Sequence, residues 1–130
     1  MSPTQRTLAE LRKMGMKVAV VEKWNAFSKV RQDLFGIVDI LALDPVRGFV
    51  GVQCTGNDFA GHWNKLTVDH AQDCIDWLNT PGGSLELWAW RKVKVKRGGK
   101  ATTWSPRVRV LTLDDFKAQG DEIDPFEGLD

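Results

Sequence analysis

The chain has 130 residues, 42% hydrophobic and 27% charged, which is the balance of a single soluble globular domain long enough for a core. No apolar run approaches the ~20 residues of a membrane span, and Met1-Ser2-Pro3-Thr4-Gln5-Arg6 lacks a signal-peptide stretch, so a cytoplasmic location is expected. The net charge of +1 hides an asymmetry: residues 121–130 carry five of the 17 acids and no base, while the rest of the chain sets 18 bases against 12 acids.

In chain order, Ser2-Pro3 reads as an N-cap followed by proline at the first helical position. Leu8, Leu11 and Met14 form an apolar stripe and Gly15 a C-terminal cap, which predicts a helix over residues 3–14. Lys17 to Glu22 is a β-branched first strand. Gly36 to Leu43 and Phe49 to Thr55 are two further strands, joined by the Pro- and Gly-containing turn Asp44-Pro45-Val46-Arg47-Gly48. If that hairpin is symmetric about Val46, Asp39 faces Gln53, and Thr55 shares the face of Gln53.

Residues 57–64 read as a Gly- and Asn-rich loop. A helix follows from Leu66 or Thr67 to Leu78, with Val68, Ala71, Ile75 and Leu78 on its buried face. Thr80-Pro81-Gly82-Gly83 stops it. Leu85 to Lys96 and Arg107 to Leu111 are the last strands, with Gly98-Gly99 near their turn, and residues 113–119 form a short helix before a mobile acidic tail. The domain thus spans 1–120 and the tail 121–130. The order is α-β-β-β-α-β-β, an α+β arrangement with a mixed sheet.

Between Leu87 and Leu113 there are eight bases and no acid. Such a stretch either attracts a polyanion or protects edge strands from aggregation. Trp88 and Trp90 lie two apart on one strand face, where packing against a helix is the commoner use and base stacking the alternative. Trp24 and Trp63 sit in loops, where exposed aromatics serve binding more often. Cys54 and Cys74 do not make a disulfide framework and read as small core residues. Cys54, His62, His70 and Cys74 lack the tight Cys-x-x-Cys pair of a structural zinc site, and no P-loop, dinucleotide fingerprint or Gly-x-Ser-x-Gly elbow is present.

An aspartate in a strand, a short turn and a second strand bearing a Glu-x-Lys position resemble the PD-(D/E)XK nuclease superfamily. Holliday junction resolvases and VRR-type nucleases are its small members. Here the aspartate is Asp39, and the Glu-x-Lys position reads Gln53-Cys54-Thr55. The segment from Glu22-Lys23-Trp24-Asn25 through Arg31-Gln32-Asp33-Leu34-Phe35-Gly36 is similar to small phage and bacterial members, so the resemblance covers roughly residues 5 to 95. It implies a restriction-endonuclease-like core with a helix on each side of the sheet, in a bacterial or phage-infected cell. The implied activity is magnesium- or manganese-dependent cleavage of DNA, on branched or nicked substrates as resolvases act, with no small-molecule cofactor. Minimal members of the fold dimerise, since one such domain covers few base pairs.

The resemblance places Asp39, Gln53, Thr55 and Lys65 in the catalytic set. A hard cation prefers carboxylate oxygens, and Gln53 offers only an amide oxygen. A second carboxylate is therefore expected from Glu22, at the end of strand one, then Asp33, then Glu10. Thr55 cannot replace the family's lysine. Superfamily members relocate that lysine to the following helix, where Lys65 stands. Phosphate contacts are expected from Arg31, Arg91, Lys92, Lys94, Lys96, Arg107 and Arg109. The competing expectation is a binding module on the same fold, in which Gln53 and Thr55 record lost chemistry.

Overall fold

In a computed structural model, residues 1–117 are described. Helix α1 (Pro3–Lys13) begins as its cap predicts: the Ser2 hydroxyl accepts from the Gln5 N–H at 3.1 Å, and Gly15 leaves the helix at φ +89°. The elements that follow are β1 (Lys17–Val20), β2 (Lys23–Asn25), β3 (Val30–Gln32), β4 (Ile40–Asp44), β5 (Gly48–Thr55) and α2 (Phe59–Asn64). A π-helical turn (Lys65–Asp69), α3 (Ala71–Asn79), β6 (Gly83–Lys94), β7 (Thr102–Leu111) and α4 (Asp114–Lys117) complete them.

Five strands form the main sheet in the order β1-β4-β5-β6-β7; β5 and β6 are parallel and every other pair is antiparallel. The fold is therefore α+β with a mixed sheet. Asp44 pairs with Gly48 and Ile40 with Val52, so the β4–β5 hairpin is centred on Val46, and Asp39 falls opposite Gln53 when the register is continued.

Strand alternation divides the core into two layers. On one face, Leu8 and Leu11 of α1 pack on Ile40, Ala42, Val50, Val52, Cys54, Trp88 and Trp90. On the other, Leu66 and Cys74 pack with Ile37, Val38, Leu85, Leu87, Leu111 and Phe116. Trp88 and Trp90 are thus core residues. Their indole N–H groups donate to Glu86 and Thr7, at 2.9 and 2.8 Å, so the base-stacking use does not apply to this pair.

Several boundaries differ from expectation for local reasons. β1 ends at Val20, and β4 starts only at Ile40, because Leu34 to Val38 fold into a turn closed by hydrogen bonds between Leu34 and Val38. The loop expected at 57–64 contains α2, whose start is capped by Asp58 accepting from the Gly61 N–H at 3.0 Å. The π-helical turn inserts an extra residue into the helical phase. As a result Val68, expected inside, is 53% exposed, and Leu66 and Cys74 take the buried positions. β7 begins at Thr102, before Pro106, because an edge strand tolerates proline. Residues 118–130, including the end of the expected last helix and the acidic tail, lie outside the described residues.

Candidate active site

Three carboxylates converge from separate segments. Glu22 follows β1, Asp33 follows β3 and Asp39 precedes β4. One ligand-capable oxygen of each lies within 4.8 Å of the others, and no other such group of His, Cys, Asp or Glu occurs among the described residues. Asp39 is buried, and one of its oxygens accepts from the Cys54 N–H at 2.9 Å.

The turn ahead of β4 sets Asp33. Phe35 and Gly36 both adopt positive φ, +54° and +74°, a conformation that is costly for phenylalanine. A Cβ on Gly36 would stand 2.4 Å from the His70 ring, so that approach requires glycine. Gln53 then ties the turn to the sheet: its amide nitrogen donates to the Ile37 carbonyl at 3.0 Å and to Asp33 at 3.1 Å. The Lys65 amine donates to Asp33 at 2.5 Å and to the Gln53 amide oxygen at 2.9 Å. Lys65 opens the π-helical turn, an irregularity often found at functional sites.

The charges are unbalanced, and the ionisation shows it. Burial, then hydrogen bonding to Asp33 and the nearby negative charges of Asp33 and Glu22, pushes the Asp39 carboxyl up to about 8. Burial also raises Asp33, but hydrogen bonds from Asp39, Lys65 and Gln53 outweigh it, and its pKa falls to about 2. The two neighbouring carboxyls are thus driven in opposite directions, Asp39 up and Asp33 down. Glu22 is held from outside by Arg31 at 2.8 Å, with the Arg31 side chain 68% exposed. An open cleft of about 440 Å³ adjoins the cluster, lined by Arg31, Asp33, Phe35, Lys65 and His70 among others.

The structure thus brings together five of the expected site residues: Glu22, Asp33, Asp39, Gln53 and Lys65. Gln53 differs in role. Its oxygen is turned to Lys65 and its nitrogen to Asp33, so it orients its neighbours instead of facing the three carboxylates as a ligand. Thr55 is buried on the same sheet face, but among the described residues no hydrogen bond joins it to the cluster. Glu10 lies outside the group. Cys54 and Cys74 sit in opposite core layers, so the two thiols do not meet, and burial pushes both up to about 12.

The expected basic face is divided. In register, Arg91, Arg107 and Arg109 point to the side of α2, whereas Lys92 and Lys94 point to the side of α1, and Lys96 lies past the end of β6. Arg107 lies 3.6 Å from the centre of the Phe59 ring and Arg109 4.9 Å from that of Trp63. Arg109 also pairs with Asp115 at 2.6 Å, and Lys92 lies 5.5 Å from the Trp104 ring centre. The β2–β3 hairpin was not anticipated. Its only sequence signal was Asn25, whose side chain accepts from the Phe27 and Ser28 N–H groups in an Asx-type turn.

Comparison of the chain with protein-family models, with curated proteins and with solved structures finds no match.

Proposed function

We propose that this protein is a magnesium- or manganese-dependent nuclease acting on DNA, on a restriction-endonuclease-like core. The observation that carries the reading is the convergence of Glu22, Asp33 and Asp39 around one point, with the Lys65 amine beside them. The donor set fits a hard divalent cation, which prefers oxygen ligands. The negative charges of Asp33 and Glu22 that help push Asp39 up are ones that such a cation would offset. Element order supports the fold reading: with the β2–β3 hairpin set aside and the segment from α2 to α3 counted as one helical layer, the chain runs α-β-β-β-α-β-β ahead of the short α4.

In this reading Glu22, Asp33 and Asp39 would hold the cation, which would supply Lewis-acid charge for phosphodiester hydrolysis. Lys65 is held by Gln53 and Asp33 at the mouth of the cleft, where its ammonium can orient the attacking water and offset charge developing on the phosphate. Gln53 is a positioning residue for Lys65 and Asp33. The reading predicts that purified protein nicks supercoiled plasmid with manganese, and that Asp39→Ala abolishes nicking while Lys65→Ala slows it about a hundredfold. Plasmid left intact with either metal would refute it.

A specific contact favours the alternative of a non-catalytic DNA- or protein-binding module. The Lys65 ammonium already neutralises Asp33, and an amide stands where the family carries a carboxylate. In that case DNA binding is unchanged by added manganese and by Asp39→Asn, and plasmid stays intact with either metal.

A further inference from the structure

The β2–β3 hairpin takes no part in either core layer, and neither of its strands pairs with the main sheet. It has no buried residue, yet it carries Trp24 at 62% exposed, Val30 at 50% and Phe27 fully exposed at its tip. Two-stranded ribbons are marginal on their own in water, and large apolar side chains exposed on one mark a candidate binding surface. The tip is nevertheless set: Asn25 caps the turn, and Lys29 holds φ +54°. From Lys23 to Gln32 the hairpin has three bases, Lys23, Lys29 and Arg31, and no acid.

Its attachment points are informative. Glu22 immediately precedes the hairpin and Asp33 immediately follows it, so two of the three converging carboxylates are its two feet. Trp24 pairs across the ribbon with Arg31, the residue that touches Glu22. Aromatic rings among cations, with no acid, match the chemistry of unpaired bases on a phosphate backbone. A duplex buries its base faces and offers these rings nothing to stack on. A purely apolar protein partner does not account for the three cations.

We propose that residues 23–32 form a base-stacking arm that holds single-stranded nucleic acid, or the unpaired part of a branched one, beside the carboxylate cluster. The inference rests on reading that cluster as the reacting centre, and it names the form of substrate the centre receives. Phe27 and Trp24 stack on bases, while Arg31, on the face of Trp24, and Lys29, next to the turn, meet phosphates; Lys23 lies on the opposite face of the ribbon.

The test is fluorescence anisotropy with a short labelled oligothymidine and with a duplex of the same length, in EDTA so that nothing is cleaved. The arm predicts tighter binding of the single strand. Phe27→Leu weakens it about tenfold and Trp24→Ala with Phe27→Ala about a hundredfold, with duplex binding changed less than about threefold. Val46→Ala, 92% exposed in the β4–β5 turn, leaves both unchanged. Circular dichroism verifies that the variants are folded, which is expected because neither ring is buried. Equal binding by wild type and the double variant overturns the proposal, as does an equal loss for single strand and duplex. Wild-type protein that ignores both but self-associates, with monomers restored by the double variant, assigns the face to a second copy and also overturns it. Single-strand binding by a protein that takes up no manganese would sink the nuclease reading while keeping the arm.

Discussion

Among the described residues two acids are buried, Glu86 and Asp39, one on each face of the sheet, and they are matched differently. On the α1 face, Glu86 is 3% exposed, yet it is fully matched: it accepts from the Trp88 indole at 2.9 Å and pairs with Arg47, which also reaches Asp44 at 2.9 Å. On the other face, Asp39, Asp33 and Glu22 share Lys65 and the exposed Arg31, and burial beside the other acids pushes the Asp39 carboxyl up. Burial alone therefore does not single out a candidate site. An excess of converging carboxylates over nearby cations, opening on a cleft, does.

If this contrast is right, the two groups answer mutation with opposite sign. The largest loss is expected from Arg47→Ala, which leaves the Glu86 carboxylate buried without its ion pair; unfolding in urea should show a loss of about 3 kcal/mol. Asp39→Asn keeps an acceptor for the Cys54 N–H and a donor toward Asp33, as the protonated acid does. In metal-free protein at about pH 8 it should be neutral or stabilising by about 1 kcal/mol, as neutralised site acids tend to be. A loss as large as that of Arg47→Ala would make Asp39 structural.

The pH dependence sharpens the same point. Asp39 has a folded pKa raised to about 8 from 3.8, so the folded state binds the proton more tightly. The stability it lends is fully present below the unfolded value and is lost as pH rises to the folded one. Asp33, lowered to about 2, acts oppositely and only below the unfolded value. Melting temperature of the metal-free wild type should therefore fall between about pH 4 and about pH 8, and Asp39→Asn should flatten that fall. The smallest effect is expected for Arg31→Ala: its pair with Glu22 is exposed on the arginine side and should change stability by less than about 0.5 kcal/mol.

The β4–β5 hairpin was legible in the sequence because Pro45 and Gly48 fix its turn, and turn length fixes register; Asp39 against Gln53 followed from that. Lys65 was legible only through the family resemblance. Its contacts with Asp33 and Gln53 depend on a π-helical phase that no 3.6-residue pattern encodes. Glu22 was expected from its place at the end of strand one, and Asp33 as the next choice, but the hairpin between them was not, since three-residue strands are too short to show alternation. The basic stretch misled for a related reason. Its charge was visible in one dimension, whereas strand alternation sends Lys92 and Lys94 away from Arg91 and Arg107.

The most direct test of the central claim is calorimetric titration of the protein with manganese at about pH 8, where the Asp39 proton is half released. One ion is expected to bind per chain with release of protons to the buffer, and Asp39→Ala and Asp33→Ala should each abolish the signal. Absence of binding, or binding that survives both substitutions, would contradict it.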